Sequence, residues 1–246
     1  MKRLFSVVYV VAALLSMTSC NRDDIRSFKT TGEPSEISLQ TQDYSRVETH
    51  DNFDITLLPD SSNYIKISGG KNLISFIECC ISDGVLKIYD NNGCRWLRKY
   101  QPVQLQIGVK NIDKITLYES ATLNCADTLH FNWFAFENHC VYCNISLLID
   151  CYRLEFWSHA STGDYHMSGT CHEAYLYNRG TGYLYADSLI AKRATITHMS
   201  TGNSYIHVLD SLEVSEISRG NVYLNGCPRV HTTESSYLEQ LIKNCP

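Results

Sequence analysis

The chain has 246 residues, 21 Lys+Arg against 26 Asp+Glu for a net charge of −5, and 11 cysteines. That balance excludes the basic footprint that nucleic-acid binding requires, so no nucleic-acid partner is expected. The cysteine spacing is not that of a knotted miniprotein, and the length suits one large β domain or two small ones.

The chain opens MKRLFSVVYVVAALLSMTSC. Lys2 and Arg3 form a positive n-region, and the apolar run from Leu4 to Leu15 falls short of the ~20 residues that a spanning helix needs. Residues 1–19 therefore read as a signal peptide. Thr18 and Ser19 leading into Cys20 resemble the lipobox of bacterial lipoproteins, which implies that Cys20 is diacylated and anchors the protein to a membrane. The following NRDD, residues 21–24, resembles the export signal of surface-displayed Bacteroidota lipoproteins. The resemblance implies an outer-membrane lipoprotein on the cell surface, otherwise facing the periplasm. Without residues 1–19 the chain holds 19 basic against 26 acidic residues, near −7.

Residues 20–43 read as the lipidated cysteine and a flexible tether, rich in Ser and Thr around Gly32 and Pro34. From Tyr44 short alternating runs follow, RVETH, FDITLL, YIKIS, GVLKIYD and PVQLQIGV. Each alternates apolar with polar residues or is rich in β-branched ones, which predicts strands. Asp83-Gly84 between two such runs predicts a hairpin. Only NLISFIECC at 72–80 leaves a helix open.

From Ile112 onward a repeat dominates. The runs opening at 115, 134, 154, 174, 194 and 212 are offset by 19, 20, 20, 20 and 18 residues. A period near twenty in an all-β pattern predicts a solenoid whose strands stack in parallel about 4.8 Å apart. Gly163, Gly182, Gly202 and Gly220 recur once per coil and read as structural corners, needing either a positive φ or close backbone approach. Neither the nine-residue period of a calcium β-roll nor a phosphate-loop Gly-Lys-Ser/Thr is present. Counting from each corner glycine, Tyr165/Met167, Leu184/Ala186, Ser204/Ile206 and Val222/Leu224 should face in. The intervening residues should face out and form an exposed column His166, Tyr185, Tyr205, Tyr223.

The run YSRVETHDNFDITLLPDSSNYIKISGGKNLISFIECCISDGVLKIYD, then VQLQIGVKNIDKITLYES, then repeated corners ending in EISRGNVYLNGCPRV, resembles the putative auto-transporter adhesin head GIN domain of Bacteroidota lipoproteins. The resemblance covers residues 44–236 and leaves 237–246 as a C-terminal cap. It implies a right-handed parallel β-helix at a secreted or surface location, and it carries no catalytic motif and no cofactor. YESAT at 118–122 and NHCVY at 138–142 depart from the family's Ser-Gly corners, so those two coils should be irregular.

Four constellations remain. Ser120, His139, His159, Asn178, His198 and Glu216 fall four or five residues past the start of each unit and read as a polar corner ladder; no metal is expected there. The tyrosine column is the candidate ligand contact, since aromatic faces suit sugar rings and hydroxyls add hydrogen bonds. The triplets containing Thr128, Ser188 and Ser211, each Asp-Ser/Thr-Leu, resemble the Bacteroidota O-glycosylation acceptor. Cys151 and Cys171 stand one coil apart within disulfide reach, and Cys227 with Cys245 is placed to tie the tail down. Cys140 and Cys143 form a CxxC whose members should point to opposite faces of a strand, as buried small hydrophobes. The expectation is a non-enzymatic envelope protein with an adhesin-like binding face for a glycan or protein ligand. The alternatives are a polysaccharide-processing enzyme and a purely structural scaffold.

Overall fold

The computed structural model describes residues 30–93 and 102–245. The signal peptide, Cys20 and residues 21–24 lie outside them. The described residues fold into a single 17-stranded sheet wound as a β-solenoid of about seven turns, roughly 20 residues apart.

The C-terminal half is the regular part. β10 (Leu129–Asn138), β11 (Cys143–Ser161), β12 (Asp164–Gly180), β13 (Tyr183–Ser200) and β14 (Ser204–Ile217) each pair in parallel with the next. Alternation puts one set of side chains inside. Phe134, Leu154, Ala174, Ala194 and Leu212 stand in register, all buried, and burying each large member contributes about 1.5–3 kcal/mol. The predicted repeat start at 115 is displaced, because Ile115 pairs with Phe136 rather than Phe134. A slip of two residues preserves which face each side chain takes, so alternation alone does not reveal it.

The corner glycines divide into two kinds. Gly163 combines φ +135 with close approach to the Cys143 carbonyl, whereas at Gly202, where φ is not positive, an added Cβ would lie 2.5 Å from the Gly182 carbonyl oxygen. Gly220 stands in the same relation to Gly202, so close approach of successive coils, not handed backbone, excludes a side chain there.

The N-terminal half stacks out of chain order. β2 (Arg46–Thr49) and β3 (Phe53–Pro59) pair on one side with β8 (Lys114–Leu117) and β9 (Ala121–Cys125). On their other side they pair with the later β6 (Val85–Asp90) and β7 (Val103–Val109). The earlier coil is thus sandwiched between two later ones. Antiparallel strands close this end. β5 (Ile77–Ser82) pairs with β6 through the expected hairpin, with Asp83 and Gly84 at φ 53 and 71. β4 (Tyr64–Gly70) pairs with β7, and β1 (Pro34–Gln40) lies on β4. β1 falls inside the segment expected to be a tether. It is ordered as an edge strand because β4 offers an open row of backbone groups, and Ile37 and Leu39 register on Ile67 and Ile65. The open helical reading at 72–80 resolves into α1 (Lys71–Ile74), a single turn, followed by β5.

At the other end β15 (Val222–Asn225) and β16 (Arg229–Thr232) lie on β14, and a 3-10 turn (Ser235–Gln240) leads to β17 (Leu241–Asn244) on β15. A Cys227–Cys245 disulfide, Cα–Cα 5.3 Å, closes this loop.

Candidate functional site

The outward column forms as a stacked ladder. His166, Tyr185, Tyr205 and Tyr223 pair in register across β12, β13, β14 and β15. Their ring centroids are 4.7, 5.3 and 4.8 Å apart and nearly parallel. His166 is exposed and the tyrosines are half-buried. Stacking changes what the column offers: the inner ring faces are covered by their neighbours, so edges and hydroxyls, not open faces, meet solvent. The residues expected to face inward (Tyr165, Met167, Leu184, Ala186, Ser204, Ile206, Val222, Leu224) are all buried.

The six positions expected to form one polar column do not line up: Asn178 and His198 turn inward, His139 and His159 turn outward, and Ser120 and Glu216 are half-buried. Asn138, Ser158, Asn178 and His198 are in register and fully buried at the inner corner. Ser158 Oγ donates to the Tyr165 hydroxyl at 3.1 Å, Asn178 donates to Ser204 Oγ at 3.4 Å, and Ser204 Oγ lies 2.9 Å from His198 Nδ1. Burial depresses the His198 pKa to about 4, outweighing a weaker opposing interaction with the Gly202 backbone, so the imidazole is neutral.

His139 and His159 sit one residue further along, and that single step turns them outward. Their rings stack at 4.8 Å within a longer ladder that runs Tyr89, His50, Tyr118, His139, His159. Glu137 shares their outward parity and reaches both, with Oε1 2.9 Å from His139 Nε2 and 3.4 Å from His159 Nε2. Lys114 holds its other oxygen. The donor atoms of Glu137, His139 and His159 all lie within 4.8 Å of one another. The parity of Glu137 was readable from its spacing to His139; the continuation to His50 and Tyr89 was not, because it depends on the out-of-order coil.

The cysteines also depart in one respect from expectation. Cys140 and Cys143 are both buried, 1% and 0% exposed, because residues 139–142 form a corner rather than an extended strand. Cys140 Sγ donates to the Leu117 carbonyl at 3.5 Å, and its hydrogen bond with Cys143, together with burial, pushes the Cys143 thiol far up. Cys151 and Cys171 register on each other as free thiols, each pushed by burial to about 12. Ser188 is exposed, and Thr128 and Ser211 are partly so. The Leu members of the three triplets are buried, and the Asp127 carboxylate accepts from the Thr128 amide at 2.7 Å, a turn contact that needs no sugar.

Two of the surface clefts bear on chemistry. One of 730 Å³ beside β1 and β4 is lined by a single carboxylate, Glu36, which is paired with Lys66 at 2.8 Å. The other, of 300 Å³, brings Glu173, Arg193, Glu213 and His231 together, with Glu173 held by Arg193.

A family model described as "Putative auto-transporter adhesin, head GIN domain" matches residues 43–228. The chain belongs to this family. Solved structures similar to this GIN domain include a putative adhesin from Bacteroides fragilis, 17% identical with a TM-score of 0.70, covering 87% of this chain and 94% of that one. A putative adhesin from Parabacteroides merdae is 16% identical with a TM-score of 0.62 over 87% and 95%. A putative lipid binding protein from Parabacteroides distasonis is 15% identical with a TM-score of 0.58 over 87% and 96%. At these identities the likeness concerns the fold. No curated protein matches the chain.

Proposed function

We propose that this GIN domain is a non-enzymatic, lipid-anchored envelope protein displayed on the cell surface, whose solenoid presents a binding face to a glycan or protein ligand. The observation that carries the reading is the ladder His166–Tyr185–Tyr205–Tyr223. Stacking alone would be satisfied by phenylalanine; three successive tyrosines add a row of hydroxyls at a spacing of one coil, a regular array of donors and acceptors. Membership of an adhesin family supports the same reading. The anchor rests on Cys20 after a signal peptide of residues 1–19.

A glycan-array and host-matrix screen tests it, run with the wild type, a Tyr185→Phe/Tyr205→Phe/Tyr223→Phe variant and the corresponding triple alanine variant, with folding followed by circular dichroism. Loss of three hydroxyl hydrogen bonds of about 1 kcal/mol each predicts at least about tenfold weaker binding by the folded phenylalanine variant. Wild-type protein that binds nothing on the panels, or variants that bind as well as the wild type, would remove the ladder from consideration. The enzymatic alternative has its best location at Glu173, Arg193, Glu213 and His231, where acids converge; turnover of acidic polysaccharide abolished by Glu213→Gln would favour it.

A further inference from the structure

The group Glu137, His139 and His159 is not explained by the ladder it belongs to. Stacking accounts for the ring planes, at 4.8 Å and 8°, but not for a carboxylate set between the two ring edges. Aromatic neighbours elsewhere in the column, Tyr89, His50 and Tyr118, stack equally well without three donor atoms converging. At 137–159 two imidazole nitrogens and one carboxylate oxygen come together at the surface, where an ion has direct access from solvent.

We infer that Glu137 Oε1, His139 Nε2 and His159 Nε2 form a binding site for a divalent transition-metal ion of the zinc class. Two imidazoles and one carboxylate are a donor set that suits zinc and leaves a coordination position for water or for a donor from a bound partner. At metal–ligand distances of about 2.0–2.2 Å, ligands on one ion stand roughly 3.3 Å apart. The Glu137–His139 and Glu137–His159 separations of 2.9 and 3.4 Å are already of that size; the two rings close the remaining gap by turning toward each other.

The electrostatics agree with the geometry. Burial, then the neighbouring His139, lowers the His159 pKa against the pull of Glu137. Burial acts to raise the Glu137 pKa, but Lys114 and His139 outweigh it and hold the carboxyl ionised. Lys114 occupies Oε2 and leaves Oε1 facing the histidines. Its positive charge, with Arg179 near His159, opposes a dication and weakens its binding. The partnership is legible one coil at a time: Glu137 and His139 are two residues apart on one strand face, and His159 follows twenty residues after His139.

Untagged full-length protein, stripped with chelator and titrated with zinc chloride by isothermal calorimetry, should bind one ion with micromolar affinity. His139→Ala and His159→Ala should each weaken that binding at least tenfold and Glu137→Gln by several-fold, while His130→Ala, outside the group, leaves it unchanged. The His139 and His159 ring signals should shift together on addition of zinc in NMR spectra. No zinc binding, or binding that survives both histidine variants while circular dichroism shows them folded, would overturn the assignment. Zinc-dependent shifts confined to other histidines would do the same.

Discussion

His198 is a neutral imidazole sealed in the coil, 0% exposed, with Nδ1 against Ser204 Oγ and its pKa lowered by burial from 6.5 to about 4. In the unfolded chain the same group protonates near 6.5, so between pH 6.5 and 4 the unfolded state binds more protons and stability must rise with pH. The contribution is fully present above pH 6.5 and is lost as pH falls through the folded pKa. At about 1.4 kcal/mol per pH unit the whole loss is about 3 kcal/mol, and about 2 kcal/mol of it has occurred by pH 5. His198→Asn removes the titration while keeping a polar side chain in the column of Asn138, Ser158 and Asn178. Urea unfolding of both proteins at pH 7, 6, 5 and 4.5 gives the difference in stability at each pH, from which the other titrating groups cancel. The wild type should lose about 2 kcal/mol relative to the variant between pH 7 and 5. Parallel curves would show that His198 takes a proton without leaving its site, and the reasoning from burial would fail.

Gly202→Ala places a Cβ 2.5 Å from the Gly182 carbonyl, and overpacking of that kind costs about 1–3 kcal/mol; a fall in Tm of roughly 5–10 °C is expected by differential scanning calorimetry, larger than for Gly84→Ala, where an added Cβ meets nothing within 4 Å and only the positive φ is strained. Cys227→Ser opens a loop of 18 residues, worth about 3 kcal/mol of closure entropy, so the β17 amides should exchange hydrogen about a hundredfold faster while those of β12 and β13 are unaffected.

The regular half of the solenoid was legible because its period is set by geometry. Each coil turns at the same place, so Gly163, Gly182, Gly202 and Gly220 mark the register and everything between them follows by alternation. Legibility failed wherever a residue left that rule. Cys140 and Cys143 point the same way because the chain turns between them. His139 and Asn138 are neighbours on opposite faces, and a repeat position defined only to within one residue merged the outer histidines with the buried Asn178 and His198. The out-of-order coil of β2 and β3 was hidden for a different reason. Parallel pairing leaves no local trace: a strand buried between two others shows the same apolar alternation whichever strands they are. β1 was missed because its pairing energy lies in backbone hydrogen bonds to β4, which composition does not report.

A solenoid forces equivalent residues of successive coils to within about 4.8 Å, so any aromatic retained at one outward position for several coils becomes a ladder whether or not anything binds it. A ladder is therefore weak evidence for a site by itself, and its rings spend their faces on one another. What distinguishes one ladder from another is the set of atoms that stacking leaves available. In the column from Tyr185 to Tyr223 these atoms are a row of hydroxyls, which ring stacking does not require. At His139 and His159 they are a pair of ring nitrogens, turned toward a carboxylate that an adjacent lysine keeps ionised. The two columns thus share one architectural cause and differ in the atoms at their ring edges, hydroxyls along the first and imidazole nitrogens beside a carboxylate at the second. Exchanging those edges should exchange the behaviours without disturbing the coil: His139→Tyr with His159→Tyr keeps a stacked pair and the fold, and abolishes the response to zinc.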